Sequence, residues 1–428
     1  MKIRITRRAL LAGTAATAGV TAFAGPWKHN RVWAQKTDKP ILIGLTHDAS
    51  GQFANSGQDE QRGTIMAIEE INAKGGVLGR KLSYIVADTE TTPSTATRIA
   101  ERMINRNEVA FIVGAIQSGV ANAIGQVAQK HGVVYFNTNS SSPTEAGKDC
   151  QRVKFVWDGT GANFANAAAA NAVKTFGKKW LLLTNDYVWG HNTSKATRTT
   201  AVQYGADIVD EILVPVGTRD FSPILLKVQQ ARPDVVAAAV GGDDFKVMRQ
   251  QTVDMKLDRK PAWLNNQQDW PDVYGLGIDS VFGVFGTTWY HKLDLPGVDD
   301  LVKKYQARWP DTRIDVPGNV FYNGYMAMHE LAKAIERAGS TNNLKVIRAL
   351  EGHKMSAKDR MQHGDAYIDP VSHHVQQTIY MAMGNDKPVD KTDYFKILSW
   401  ASAEEAKDKN EATDCKLQPL DKTPSYEM

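Results

Sequence analysis

Ile41-Leu42-Ile43-Gly44-Leu45, then Ile65, Ile68 and Ile71 ahead of Gly75-Gly76, make up the stretch that decides the fold. The five-residue run is short and wholly apolar, as expected of a strand covered on both faces. A loop rich in Gly, Ser and Asn follows. The three isoleucines then line one side of a helix over 58–73, which the glycine pair ends by entering left-handed backbone. Working outward, 81–87 reads as the next strand. Ala96, Ile99, Ala100 and Met103 recur at i, i+3, i+4 and i+7, the stripe of an amphipathic helix. A strand over 109–114 comes next. Val120, Ala123, Ile124 and Val127 repeat the helical spacing, and 133–137 is again strand.

The alternation then restarts, with strands over 180–184, 208–214 and 234–240 and helices over 191–204, 221–230 and 243–255. Two successive βαβαβ runs imply two lobes, each a doubly wound, mostly parallel sheet, in an α/β chain. The last third offers strands over 281–287, 378–383 and 394–400 and a helix carrying Tyr325, Met328, Leu331, Ala332 and Ile335. That third is expected to complete both lobes, so the chain crosses between them more than once. The expected division is 38–158 plus 289–345 for lobe I, 159–288 plus 346–400 for lobe II, and 401–428 as a C-terminal tail. A ligand in such folds sits beyond the carboxyl ends of the strands, between the lobes.

Composition narrows the function. The 428 residues are 42% hydrophobic and 23% charged, an ordinary globular balance. Six basic and no acidic side chains fall in residues 1–34, so the formal charge of +4 conceals a body with 45 basic against 47 acidic residues. A nearly neutral body argues against a nucleic-acid binder. Residues 1–34 read as an export signal: Thr6-Arg7-Arg8-Ala9-Leu10-Leu11, a run of small apolar residues, and possible cleavage after Ala24 or Ala34. The paired arginines resemble a twin-arginine signal, which implies a periplasmic destination. No later stretch is long and apolar enough to span a bilayer, so no direct membrane insertion is expected. In an oxidising compartment Cys150 and Cys415 can form one disulfide tying the tail to the lobe junction; the alternative is two unrelated buried thiols.

From Ile41 to about Gln250 the chain resembles the type I periplasmic binding proteins of the branched-chain amino acid transporter family. The resemblance is carried in order by Ser50-Gly51 and Gly57, Ile71-Asn72-Ala73-Lys74-Gly75-Gly76-Val77-Leu78-Gly79-Arg80, Asp88, and Gly114 with Ser118-Gly119. It continues through Asn185-Asp186-Tyr187-Val188-Trp189-Gly190, Gly217-Thr218-Arg219-Asp220-Phe221-Ser222-Pro223, and Arg232-Pro233-Asp234 leading to Gly241-Gly242. Past residue 290 it rests mainly on Gly324-Tyr325. It implies an exported receptor that closes two lobes around a small molecule, an amino acid or a related carboxylate or amide, and delivers it to the membrane permease of an ABC transporter.

The resemblance also implies the site. Ser118 and the loop Asn139-Ser140-Ser141 match positions that grip a ligand carboxylate; a serine at a strand-to-helix junction can equally be a plain helix cap. Trp189 matches an aromatic position on the second lobe, with Tyr187 beside it, although either could be core. Asp243 and Asp244 follow a strand end and could meet an ammonium, or merely start a helix. Amino-acid-binding members place an acid after the strand matching Trp263-Leu264, where this chain has Asn265-Asn266-Gln267-Gln268. Amides such as Asn266 cannot balance a buried charge, which makes an uncharged amide or a carboxylate without an amine an alternative ligand beside an amino acid. Phe53 could line the site. His373-His374 should not share a metal, since neighbours on a strand point to opposite faces.

No cofactor is expected, and no enzyme: there is no P-loop, no Gly-x-Ser-x-Gly elbow and no His-Glu-x-x-His. A sensor passing its ligand-bound state to a signalling receptor would use the same closure, so the sequence leaves transport and sensing both open.

Overall fold

The computed structural model describes residues 39–257 and 262–428. The export segment, with both of its candidate cleavage points, lies outside the described residues.

The first sheet is built from β1 (Ile41–His47), β2 (Leu82–Asp88), β3 (Phe111–Val113), β4 (Val134–Asn137) and β5 (Lys154–Val156), all parallel and in the spatial order β2-β1-β3-β4-β5. Helices α1 (Ala54–Ala73), α2 (Pro93–Asn105) and α3 (Ser118–His131) follow β1, β2 and β3. Strand β5 is buried throughout despite its lysine. Lys154 Nζ lies 2.7 Å from Glu145 Oε2, and both side chains are shut from solvent. Burial pushes the Glu145 carboxyl up and Lys154 pulls it back, so each needs the other.

The second sheet takes β6 (Lys179–Asn185), β7 (Asp207–Val214), β8 (Val235–Ala239), β9 (Ala262–Gln267) and β10 (Val284–Thr287), with α4 (Gly161–Phe176) before β6 and α5 (Val188–Gln203), α6 (Ser222–Ala231), α7 (Gly242–Asp254) and α8 (Trp270–Val273) after β6, β7, β8 and β9. The alanines of β8 and α4 allow close packing around Trp180, Leu182 and Leu264. Beyond β10 come α9 (Val298–Arg308), α10 (Asn319–Ala338), α11 (Asn343–Leu350), β11 (Lys354–Met355), α12 (Ala357–Arg360), β12 (Ala366–Ile368) and β13 (Val375–Gln376). Strands β14 (Ile379–Gly384) and β15 (Phe395–Ala401) then add antiparallel to the second sheet, giving β15-β14-β10-β9-β8-β6-β7.

The chain passes between the halves near Asp158, near Thr288 and near Gln377, and returns once more in the tail after β15. Helix α10 packs along α1. The segment that follows α10 makes contacts with the first half of the chain. Val156 bridges His374, Asn343 Nδ2 donates to Gly132 O at 2.6 Å, and Val346, Ile347 and Leu350 are buried beside α10. The β11–β13 strands are only two or three residues long, too short to register as period-2 patterns. Cys150 and Cys415 form a disulfide closing 265 residues of chain. The tail continues over the first half, with Tyr426 Oη donating to Val109 O at 2.8 Å. His373 and His374 take different carboxylates, Glu351 and Glu411. Among the described residues no helix is long and apolar enough to cross a membrane.

Candidate ligand-binding cleft

Loops at the carboxyl ends of β1, β3 and β4 face those of β6, β8 and β9 from the other sheet, where a doubly wound fold leaves its crevice. Between them lies a cavity of about 430 Å³, its mouth included.

Five expected residues line it: Phe53, Asn139, Ser141, Tyr187 and Trp189. Phe53 lies at the start of α1, and its ring centroid is 6.2 Å from that of Tyr187, which is 6.0 Å from Trp189. The three rings make one apolar wall spanning both sheets. Trp189 is 7% exposed, and its indole Nε1 has no hydrogen-bond partner among the described residues.

Ser118 plays a different part from a cap. Gln117 caps α3, its side chain accepting from Val120 N at 2.8 Å. The Ser118 hydroxyl instead accepts the backbone N–H of Trp189 at 3.1 Å, one of the orphan donors in the first turn of α5. The N–H groups of Ile116 and Gln117 are also taken, both donating to Asp48 Oδ2 at 2.8 Å. Burial raises the Asp48 carboxyl to about 6 even so. Ser141 Oγ donates to Gln267 Oε1 at 2.7 Å, a second bond between the halves. A third runs from Gln52 Nε2 to Asp244 Oδ2, 3.1 Å.

Three expected residues stand elsewhere. Ser140 turns behind the loop and donates to Glu145 Oε1 at 2.9 Å, because its backbone N–H is pinned to Asn137 Oδ1. Asp243 is partly exposed and pairs with Lys246 at 2.9 Å, since consecutive residues on a helix diverge; its neighbour Asp244 turns inward to Asn185 and Gly217. Asn266 donates to Gly161 O and Thr197 Oγ1 between β9 and the α4–α5 layer, because alternate residues of a strand face opposite sides. Asn139 keeps its place in the wall, but its amide is committed to Glu60 Oε1 at 2.8 Å and Val320 O at 3.2 Å.

Asp269 and Asp272 are not among the expected residues, and among the described residues they supply the only ionisable groups in the wall. The strand matching Trp263-Leu264 runs on to Gln267, so an acid, Asp269, stands two residues past its end. Asn319 Nδ2 and Gln267 Nε2 donate to Asp269 Oδ1 at 2.6 and 3.2 Å; among the described residues no basic side chain lies in ion-pair distance of Asp269. Asp272 has Lys246 Nζ at 3.8 Å. Burial, then the negative charges of Asp272 and Asp158, push the Asp269 carboxyl well above its usual range. Such a carboxylate is stabilised by an incoming cation.

Residues 40–388 match the periplasmic binding protein family. The Leu/Ile/Val-binding protein BraC3 of Rhizobium johnstonii is 25% identical over 313 residues, covering 72% of this chain and 82% of that protein. A crystal structure of a periplasmic binding protein from Burkholderia mallei aligns with a TM-score of 0.81 at 23% identity, covering 88% of this chain and 98% of the other. The solute-binding protein of an ABC transporter from Rhodopseudomonas palustris BisB5, in complex with 3,4-dihydroxybenzoic acid, gives a TM-score of 0.77 at 21% identity, covering 85% and 98%.

Proposed function

The chain belongs to the periplasmic binding protein family, and we propose that it captures an amino acid with an apolar or aromatic side chain and hands it to the membrane permease of an ABC importer. The observation that carries this reading is Asp269, a cavity carboxylate with no cation of its own. An ammonium supplies that charge, while the wall of Phe53, Tyr187 and Trp189 takes the side chain. The ligand carboxylate takes the hydroxyls of Ser118 and Ser141 in place of their present partners. The halves that close are 39–158 with 289–376, and 159–288 with 377–401. The protein works in the periplasm after export by its first 34 residues.

A second reading, an aromatic acid without an amine, is favoured by the aromatic wall and by the dihydroxybenzoate held in the Rhodopseudomonas palustris relative. Against it stands a cavity wall that holds, among the described residues, two acids and no base.

The experiment is a thermal-shift screen of the mature chain with leucine, isoleucine, valine and phenylalanine against benzoate, 3,4-dihydroxybenzoate and short amides. A ligand at a hundred times its Kd adds about 2.7 kcal/mol. Shifts confined to amine-bearing ligands support the proposal; shifts confined to amine-free acids overturn it.

A further inference from the structure

A second cavity, of about 1290 Å³ with its open mouth included, lies between the end of α1, the middle of α10 and the β11–α12 segment. It shares no wall residue with the cleft. Ile71, Val77, Met326 and Met355 make its sides largely apolar, and Trp157 and Arg360 form part of its wall.

Arg360 is fully buried, yet among the described residues no carboxylate lies in ion-pair distance of it. Its Nε donates to Gln362 Oε1 at 3.3 Å and its Nη2 to Gln377 Oε1; both acceptors are neutral amides. Nη1 has no partner among the described residues, and neither has the indole Nε1 of Trp157. The guanidinium carbon stands 5.0 Å from the Trp157 ring and 5.5 Å from that of Tyr322, so the aromatic faces offset part of the charge and hold the fork in place. The amides that steady it are themselves anchored, Gln362 Nε2 to Thr288 O and Gln377 Nε2 to Trp157 O, both at 2.7 Å.

A buried cation with a spare donor edge is costly unless an anion meets it. A guanidinium fork suits a carboxylate, which accepts two parallel bonds. The mouth is basic on balance. Lys74, Lys333 and Lys354 stand there, and of the three acids Glu330 is taken by Arg337 at 2.6 Å and Glu336 by the Leu78 N–H at 2.5 Å.

We propose that this cavity is a second ligand site, which binds a monocarboxylate with an apolar body, its carboxylate on Arg360 Nη1 and Trp157 Nε1 and its body against Met326, Met355 and Val77.

The test uses the whole mature protein with 4-bromobenzoate and its neutral twin 4-bromobenzamide. Crystals soaked in 4-bromobenzoate are expected to show a bromine anomalous peak in the α1–α10 cavity, whatever binds in the cleft. In solution, Arg360→Met keeps the length of the stem and removes the charge. It is expected to retain or raise the melting temperature, because it removes an unpaired buried charge, and to weaken 4-bromobenzoate at this site at least tenfold. 4-Bromobenzamide is expected to bind at least tenfold more weakly than the acid. Ala332→Phe, which fills the cavity from α10, should abolish the peak with the guanidinium still present. A bromine peak only in the cleft, no peak at all, equal binding of acid and amide, or an Arg360→Met protein with unchanged binding in this cavity would each overturn the proposal.

Discussion

The hydroxyl of Ser118 accepts the backbone N–H of Trp189 at 3.1 Å, joining the first turns of two helices that follow strands of different sheets. The bond exists only while the halves are together. It puts a polar atom where a ligand oxygen would meet both.

Replacing that hydroxyl separates binding from folding. Gln117 caps α3, so Ser118→Ala leaves the cap intact. The expected result is a protein that still folds, with a melting temperature lowered by no more than the lost Trp189 bond, and a Kd weakened about tenfold, the worth of one hydrogen bond of roughly 1.4 kcal/mol. Calorimetric affinity equal to that of the parent protein would remove Ser118 from the site.

Asp269→Asn carries the sharper expectation. It keeps the shape and removes the charge that an ammonium needs, so amino-acid affinity should fall at least a hundredfold, within the roughly 2–5 kcal/mol lost when a buried charge pair is broken. Asp243→Asn, on the exposed side of α7 against Lys246, should leave affinity within twofold. Comparable losses in the two variants would mean that the acid acts through the fold instead of the ligand.

Those two aspartates mark where the sequence was legible and where it was not. Most strands and helices of the two sheets follow from apolar runs and helical spacing, and the ends of β6 and β8 place Tyr187, Trp189 and Gly241 in the cleft. Strand β9 ends in Asn265-Asn266-Gln267, a polar run that conceals where the strand stops, so Asp269 could not be told from a loop residue. Strand β5 was hidden because a lysine in a three-residue strand reads as surface, and its buried partner Glu145 is distant in pattern though near in space. Helix α4, rich in alanine, has little contrast between its faces for a periodicity to reveal. The bond from Trp189 N–H to Ser118 was not legible, since the two residues lie 71 apart in the chain.

Affinity for the amino acid should depend on pH in one direction. In the unliganded cavity burial and the neighbouring acids hold the Asp269 carboxyl well above its usual range. An ammonium favours the ionised form, so the complex carries fewer protons than the free protein. Binding should therefore release protons and weaken as pH falls through the free carboxyl's raised value. Titrations in buffers of different ionisation enthalpy measure the release directly; proton uptake, or none, contradicts the assignment.

Stability has its own pH signature through Asp158. Burial raises this carboxyl to about 6, although Gln267, Asn323, Gly159 N and Thr288 all donate to it. A carboxyl that is raised in the folded state contributes its stability in full below the unfolded value near 4 and loses it as pH climbs through about 6. The difference is on the order of 3 kcal/mol. Asp158→Asn does not titrate, so its stability relative to the parent should rise between pH 4.5 and 7.5. Urea midpoints of the two proteins measure it, and parallel curves would show that Asp158 is not the group responsible.

Gly242 offers a test of closure, at the point where the two halves meet beside the cavity. It has φ +60°, and a Cβ there would lie 2.7 Å from Gln52 O and 3.0 Å from Phe53 Cε1, atoms of the opposite half. The backbone strain of Gly242→Ala, about 1–2 kcal/mol, is present whether the halves are apart or together, but the clash arises only when they meet. Gly217 has φ +84° and nothing within 4 Å of the same atom, so Gly217→Ala brings the strain without the clash. Both variants should melt earlier than the parent. Only Gly242→Ala should also lose affinity, by tenfold or more, and show a larger radius of gyration by small-angle scattering with ligand present. Equal affinities in the two variants would mean that the halves need not come as close as Gln52 and Gly242 do here.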